Sequence, residues 1–177
     1  FVDLLARAHR GSVTLRDGVT WRESQRVKVA NGSWEPACIE LKNGDVLMLM
    51  RTGNGGQFKS ISKDGGETWT APVETPLKGS AAPVSISRVP ATGDLLAIWN
   101  HNPGGSGRNP FTAAISKDDG ETWTNFRNIE DAPDDQWAYP AVTWLDANAL
   151  LTYFNYSGGL SLQLKILPQE WFYATTP

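Results

Sequence analysis

An all-β fold, a β-propeller with about three blades present, is what this sequence predicts, and three observations predict it. A nine-residue phrase occurs twice, as SKDGGETWT at residues 62–70 and as SKDDGETWT at residues 116–124. Trp69 and Trp123, the same place in the two copies, stand 54 residues apart, and a period of about 50 residues marks a repeat architecture. Between the copies lie short runs of alternating Val, Ile, Thr and aromatic residues, punctuated by Gly, Pro, Asn and Asp. That pattern is one of strands, and no amphipathic helix interrupts it.

The elements follow in chain order. TLRDGVTW at residues 14–21 is a worn copy of the phrase, with Thr14, Gly18 and Trp21 in the Ser, Gly and Trp places and Arg16 where the Asp should be. It predicts the third and fourth strands of a blade within residues 1–30. EPACIEL (35–41), DVLMLMR (45–51), QFKSIS (57–62) and APVETPL (71–77) are the four strands of a whole blade, residues 31–80. APVSISRV (82–89), DLLAIWN (94–100), FTAAIS (111–116) and NFRNIE (125–130) repeat them in residues 81–131. YPAVTWL (139–145), ALLTYFN (149–155) and LSLQLKI (160–166) give a last blade, residues 132–177, without its outer strand. Trp171, in LPQEWFY, keeps the period but nothing else of the phrase.

Four antiparallel strands per unit of about 50 residues make a propeller blade, and propellers close as rings of about 4–8 blades. Three blades leave open strand edges, which invite pairing. The chain is therefore expected to be the C-terminal half of a larger propeller, ordered with the remaining half or with a second copy in a two-fold arrangement.

Each phrase has the chemistry of a turn between strands. Asp64 or Asp118 can accept backbone N–H groups from the residues that follow, Gly66 or Gly120 supplies a positive φ, and the Ser62 or Ser116 hydroxyl ties the start of the turn. Trp69 or Trp123 then wedges beneath the next strand. These polar groups serve their own backbone, so the phrase is a structural staple.

Strand parity assigns the faces. In an antiparallel blade the turns between the first and second strands and between the third and fourth lie on one face, the back, with both phrases. The front receives Glu35 just before the first strand of its blade, Tyr139 at the start of the last innermost strand, Arg51, Asn100, His101 and Tyr156 at the ends of second strands, and Arg108 before a third strand. Two arginines near a Tyr and a Glu form an anion site with a nucleophile and a base.

The phrases resemble the Asp-box, or bacterial neuraminidase repeat, of the sialidase superfamily. EPACIELKNGDVLMLMRT is similar to the segment in which sialidases carry a catalytic Glu and, one hairpin later, an Arg of the carboxylate-binding triad. The resemblance implies a six-bladed ring and a retaining exo-glycosidase acting on terminal sialic acid or a related acidic sugar. Tyr139 stands where the family places its nucleophile, Glu35 would be its base, and Arg51 and Arg108 would hold the substrate carboxylate. A neutral Tyr avoids repulsion from that carboxylate, and such enzymes depart from the two-carboxylate rule. By the same resemblance the third Arg and an acid/base Asp lie upstream of residue 1, no metal or other cofactor is needed, and a secreted or periplasmic location is favoured. The alternative is a propeller that binds glycan or protein without hydrolysis.

Composition narrows the partners. With 16 Lys and Arg against 19 Asp and Glu, a net charge of −3 provides no basic field for a nucleic-acid backbone. No apolar run reaches the length of a membrane span. Cys38 is the only cysteine, so no intrachain disulfide forms. His101 lies in the Gly-rich front-side loop NHNPGGSGRNP, and the acidic run EDAPDD at residues 130–135, with Asp134, is a solvated loop between blades.

Overall fold

The computed structural model describes residues 13–15 and 21–174. They form thirteen strands: β1 (Val13–Leu15), β2 (Trp21–Glu23), β3 (Ser33–Glu40), β4 (Val46–Thr52), β5 (Gly56–Ser62), β6 (Val73–Lys78), β7 (Ser85–Arg88), β8 (Leu95–Asn100), β9 (Phe111–Ser116), β10 (Thr124–Glu130), β11 (Trp137–Leu145), β12 (Asn148–Asn155) and β13 (Ser161–Pro168). They pair in chain order into four antiparallel sheets: I (β1–β2), II (β3–β6), III (β7–β10) and IV (β11–β13). The all-β propeller architecture is as the sequence predicted. The worn phrase opens a hairpin in which Leu15 pairs with Trp21, while its turn, with Arg16 and Gly18, lies outside the described residues.

Sheets II, III and IV stack because β8, in the middle sheet, is buried on both faces. In β8, Leu95, Ala97 and Trp99 face sheet II and meet Leu47, Leu49 and Leu77. Leu96 and Ile98 face the other way and meet Trp137, Leu151 and Tyr153 of sheet IV. Fully burying one such side chain contributes about 1.5–3 kcal/mol, so a strand buried on both faces anchors two sheet contacts at once. Burial also pushes the Cys38 thiol up to about 12, out of the reactive range.

The back face carries the turn phrases as expected. Ser62 Oγ donates to Asp64 Oδ1 (2.8 Å) and accepts the Gly66 N–H (2.8 Å), while Asp64 Oδ1 accepts the N–H groups of Glu67 (3.1 Å) and Thr68 (2.9 Å). Ser116, Asp118, Gly120 and Thr122 reproduce this. Thr68 and Thr122 add hydroxyl bonds of 2.5 Å to the same carboxylates. Burial opposes the charge on Asp118, but the Thr122 and Ser116 bonds win and hold its carboxyl down at about 2. Trp69 and Trp123 are buried under their turns.

Sheet IV ends differently from sheets II and III. After β13 the chain does not repeat the phrase. A single 3-10 turn, Gln169–Phe172, carries Trp171 back onto sheet III, where the Arg127 guanidinium sits 4.0 Å over its ring and donates to its carbonyl at 2.6 Å. Phe172 enters the core between sheets III and IV. Among the described residues sheet IV has three strands, and its outer face is bare: Leu162, Leu164 and Ile166 of β13 are 66%, 62% and 60% exposed.

Candidate active site

The site begins with two X-Pro steps in innermost strands. In sheet II, Trp34 pairs with Arg51 and the next registered pair is Ala37 with Leu49. Two residues, Glu35 and Pro36, therefore stand against one, Met50. In sheet IV, Ala138 pairs with Phe154 and the next pair is Ala141 with Thr152, so Tyr139 and Pro140 stand against Tyr153. Both are β-bulges, which re-aim a side chain out of the regular alternation. Proline suits the place because it has no N–H to leave unpaired. Glu35 and Tyr139 take φ values of 41° and 56°, a left-handed conformation that costs a non-glycine residue about 1–3 kcal/mol and clusters at functional sites. The middle blade has Ala82 before Pro83 and no such bulge: β7 begins at Ser85. Among the described innermost strands, left-handed backbone falls only where the pre-proline residue carries a reactive side chain, at Glu35 and Tyr139.

Glu35 is not just before the first strand, as the sequence was read, but inside β3. There its carboxylate meets Arg51 at 2.7 Å, with both side chains partly exposed. The Arg51 guanidinium also lies 5.7 Å over the Trp34 ring, and its buried Nε has no partner among the described residues. Trp34, absent from the sequence reading, is the ring that backs this arginine. Only its place directly before Glu35 could have pointed to it.

Arg108 comes from the Gly-rich loop between β8 and β9. Its backbone is fixed: the Arg108 carbonyl accepts from Asn100 Nδ2 (2.7 Å) and from the Trp137 N–H (3.0 Å). Its guanidinium lies 5.5 Å over the Tyr139 ring and 5.4 Å over the Tyr156 ring. Among the described residues no carboxylate pairs with it. An open pocket of about 540 Å³ surrounds it, lined by Arg108, Asp134, Gln136, Tyr139, Tyr156, Ser157 and Gly158. The sequence put Asp134 in a solvated loop, whereas it lines this pocket. Gln136 and Ser157 carried no signal in the sequence.

Two expected substrate contacts sit elsewhere. Asn100 is 1% exposed, and its amide is spent on the carbonyls of Arg108 and Trp137, so it holds the loop instead of lining the pocket. His101 places Nδ1 3.1 Å from the Lys78 carbonyl and packs against Trp99 and Phe126, outside the pocket. Tyr139 is 42% exposed. Its hydroxyl makes no hydrogen bond among the described residues.

An Asp-box propeller with stapled turns behind and an arginine-bearing pocket in front is the class that this fold and site define. The chain belongs to the BNR repeat-like domain family, which matches residues 10–151. Among solved structures it is similar to the NanB sialidase of Streptococcus pneumoniae, with 22% identity, a TM-score of 0.73, and coverage of 90% of this chain and 27% of that one. The intramolecular trans-sialidase of Ruminococcus gnavus, solved with oseltamivir carboxylate, gives 20%, 0.71, 94% and 39%. The α-L-arabinanase of Penicillium chrysogenum, solved with arabinobiose, gives 18%, 0.63, 80% and 47%. The likeness is one of fold, and the chain spans less than half the length of each. No curated protein matches it.

Proposed function

We propose that this chain forms part of the catalytic propeller of a sialidase-like exo-glycosidase that removes terminal sialic acid, or a related acidic sugar, with retention. One observation carries the reading: Glu35 and Tyr139 occupy the same strained bulge in two innermost strands, each beside an arginine. Tyr139 Oη attacks the anomeric carbon as the bond to the aglycone oxygen breaks; Glu35 takes the phenolic proton, and an acid from the rest of a longer protein protonates the departing oxygen. Water then releases the sugar from the tyrosyl intermediate. The planar guanidinium of Arg108 receives the substrate carboxylate through paired N–H donors. The same carboxylate competes for Arg51, and drawing Arg51 away frees Glu35 for its proton transfer. Catalytic hydrogen bonds often form only once substrate binds.

The exposed Leu162, Leu164 and Ile166 support a neighbour for sheet IV. They continue a face whose register equivalents are covered in the other sheets: Leu150 and Thr152 of β12 stand where Leu47 and Leu49 of β4 pack on sheet III. A further blade, from the rest of a longer protein or from a second copy, is the partner that fits.

Glycan binding without hydrolysis is the second reading. The Glu35–Arg51 ion pair favours it, because the carboxylate that would act as base is already occupied. Turnover of a fluorogenic sialoside by the full-length protein separates the two. The enzyme reading expects Glu35→Gln to lower kcat by about 10²–10⁴ with sugar binding retained. Absence of turnover by the wild type, with binding intact, would leave the second reading.

A further inference from the structure

We propose that Tyr156 is a positioning residue for Arg108, completing with Tyr139 a pair of aromatic rings that fixes the guanidinium while leaving its donors free. This rests on the assignment of Arg108 to the substrate carboxylate. An arginine is usually aimed by a carboxylate, which occupies part of its N–H fork, as Glu35 does for Arg51 at 2.7 Å. Arg108 is held otherwise. Its cation lies 5.5 and 5.4 Å over two ring centroids, within the roughly 6 Å at which a ring quadrupole attracts a cation. Rings act on the faces of a planar guanidinium, and its hydrogen bonds point outward in the plane, so both can be used at once.

Tyr156 is itself placed by a small network. Its N–H donates to the Gln136 carbonyl (2.9 Å). The next residue, Ser157, donates N–H to Asn155 Oδ1 (2.7 Å) and Oγ–H to the Asp134 carbonyl (3.1 Å), and it accepts the Gln136 N–H (3.0 Å). Three of these four bonds fix the turn after β12 to the segment before β11, although Tyr156 is 40% exposed and its hydroxyl makes no hydrogen bond among the described residues. Anchored backbone and a free hydroxyl single out the ring as the working part. A ring facing a guanidinium has one face fewer for stacking a sugar, which separates this role from direct sugar contact.

The test is NMR on the full chain, reading the Arg108 Nε–Hε signal in the wild type, Tyr156→Phe and Tyr156→Leu, each titrated with N-acetylneuraminic acid. Ring currents should move the Arg108 signals away from free-arginine positions in the wild type and in Tyr156→Phe. Tyr156→Leu should return them toward those positions and weaken sugar binding about three- to tenfold. Close-range magnetisation transfer between Arg108 side-chain protons and the Tyr156 ring in the wild type gives a check that needs no variant. An Arg108 signal unchanged in Tyr156→Leu, or no such transfer, overturns the proposal. A wild type that shows the ring signature but no sugar binding would support the positioning role and overturn the assignment of Arg108 to a sugar carboxylate.

Discussion

The two faces of these sheets spend their polar groups in opposite ways. On the back, Ser62, Asp64 and Thr68, and their counterparts Ser116, Asp118 and Thr122, satisfy one another and their own backbone. On the front, among the described residues, Arg108 has no carboxylate and Arg51 Nε is buried without a partner, as Trp123 Nε1 is on the back, while Glu35 and Tyr139 hold left-handed backbone. A staple uses its donors and acceptors at home, whereas a site keeps some for a visitor. Buried groups left unpaired are costly, and the core contacts behind the front face offset that cost.

If this contrast is functional, front and back substitutions should separate cleanly into activity and stability. Tyr139→Phe is the sharpest break: turnover of a sialoside by the full-length protein should fall by about 10³ or more, with the thermal midpoint unmoved. Midpoint loss without loss of turnover would make Tyr139 a packing residue. Arg51→Lys comes next, weakening binding of N-acetylneuraminic acid about tenfold by removing planar two-point pairing. Arg88→Lys should leave binding unchanged, because Arg88 is a back-face residue that meets Asp119 at 3.1 Å and the Glu40 carbonyl at 2.6 Å. Equal binding by both variants would remove Arg51 from the clamp.

On the back, Asp118→Ala should cost about 1–2 kcal/mol in denaturant unfolding while kcat is retained. The Asp118 carboxyl is depressed to about 2 from its ordinary 3.8. Its folded pKa lies below its unfolded one, so its contribution is complete above about pH 4 and is lost as pH falls through about 2. Wild type and Asp118→Ala should therefore converge in stability on acidification, and parallel curves would deny the carboxylate its role. Asp119→Gly should have the smallest effect, less than about 1 kcal/mol in either direction. It removes the partner of Arg88 and of the Lys42 N–H, but it relieves a φ of 56° at the position where the first phrase has Gly65.

The repeat made most of the fold legible in the sequence. FTAAIS is β9 to the residue, and the other expected strands differ mainly by a residue or two at their ends, because period and punctuation fix them locally. The site was less legible. Glu35, Arg51, Arg108, Tyr139 and Tyr156 fall on the expected face, since strand parity alone decides that. What the sequence obscured is how side chains divide their bonds. The same parity put Asn100 on the front, yet its amide turned inward to two carbonyls that only the folded loop supplies. The repeated X-Pro step was visible at Pro36, Pro83 and Pro140. The bulge that makes two of these steps distinctive depends on strand register, which shifts the last sheet by one: Arg51 has Phe154, not Asn155, as its register equivalent.

The return of the chain after β13 bears on how the molecule comes apart. In a stack where each sheet touches only its neighbours, the terminal unit ordinarily frays first and alone. Here Tyr173 donates its hydroxyl to Asp94 at 2.9 Å, beside Phe172 in the core and Trp171 under Arg127. The segment that follows the outermost strand of sheet IV is thereby tied to sheet III. Peeling sheet IV away means releasing that tie as well, so sheets III and IV are joined as one cooperative unit of opening, and slow exchange of amide hydrogens should extend across both.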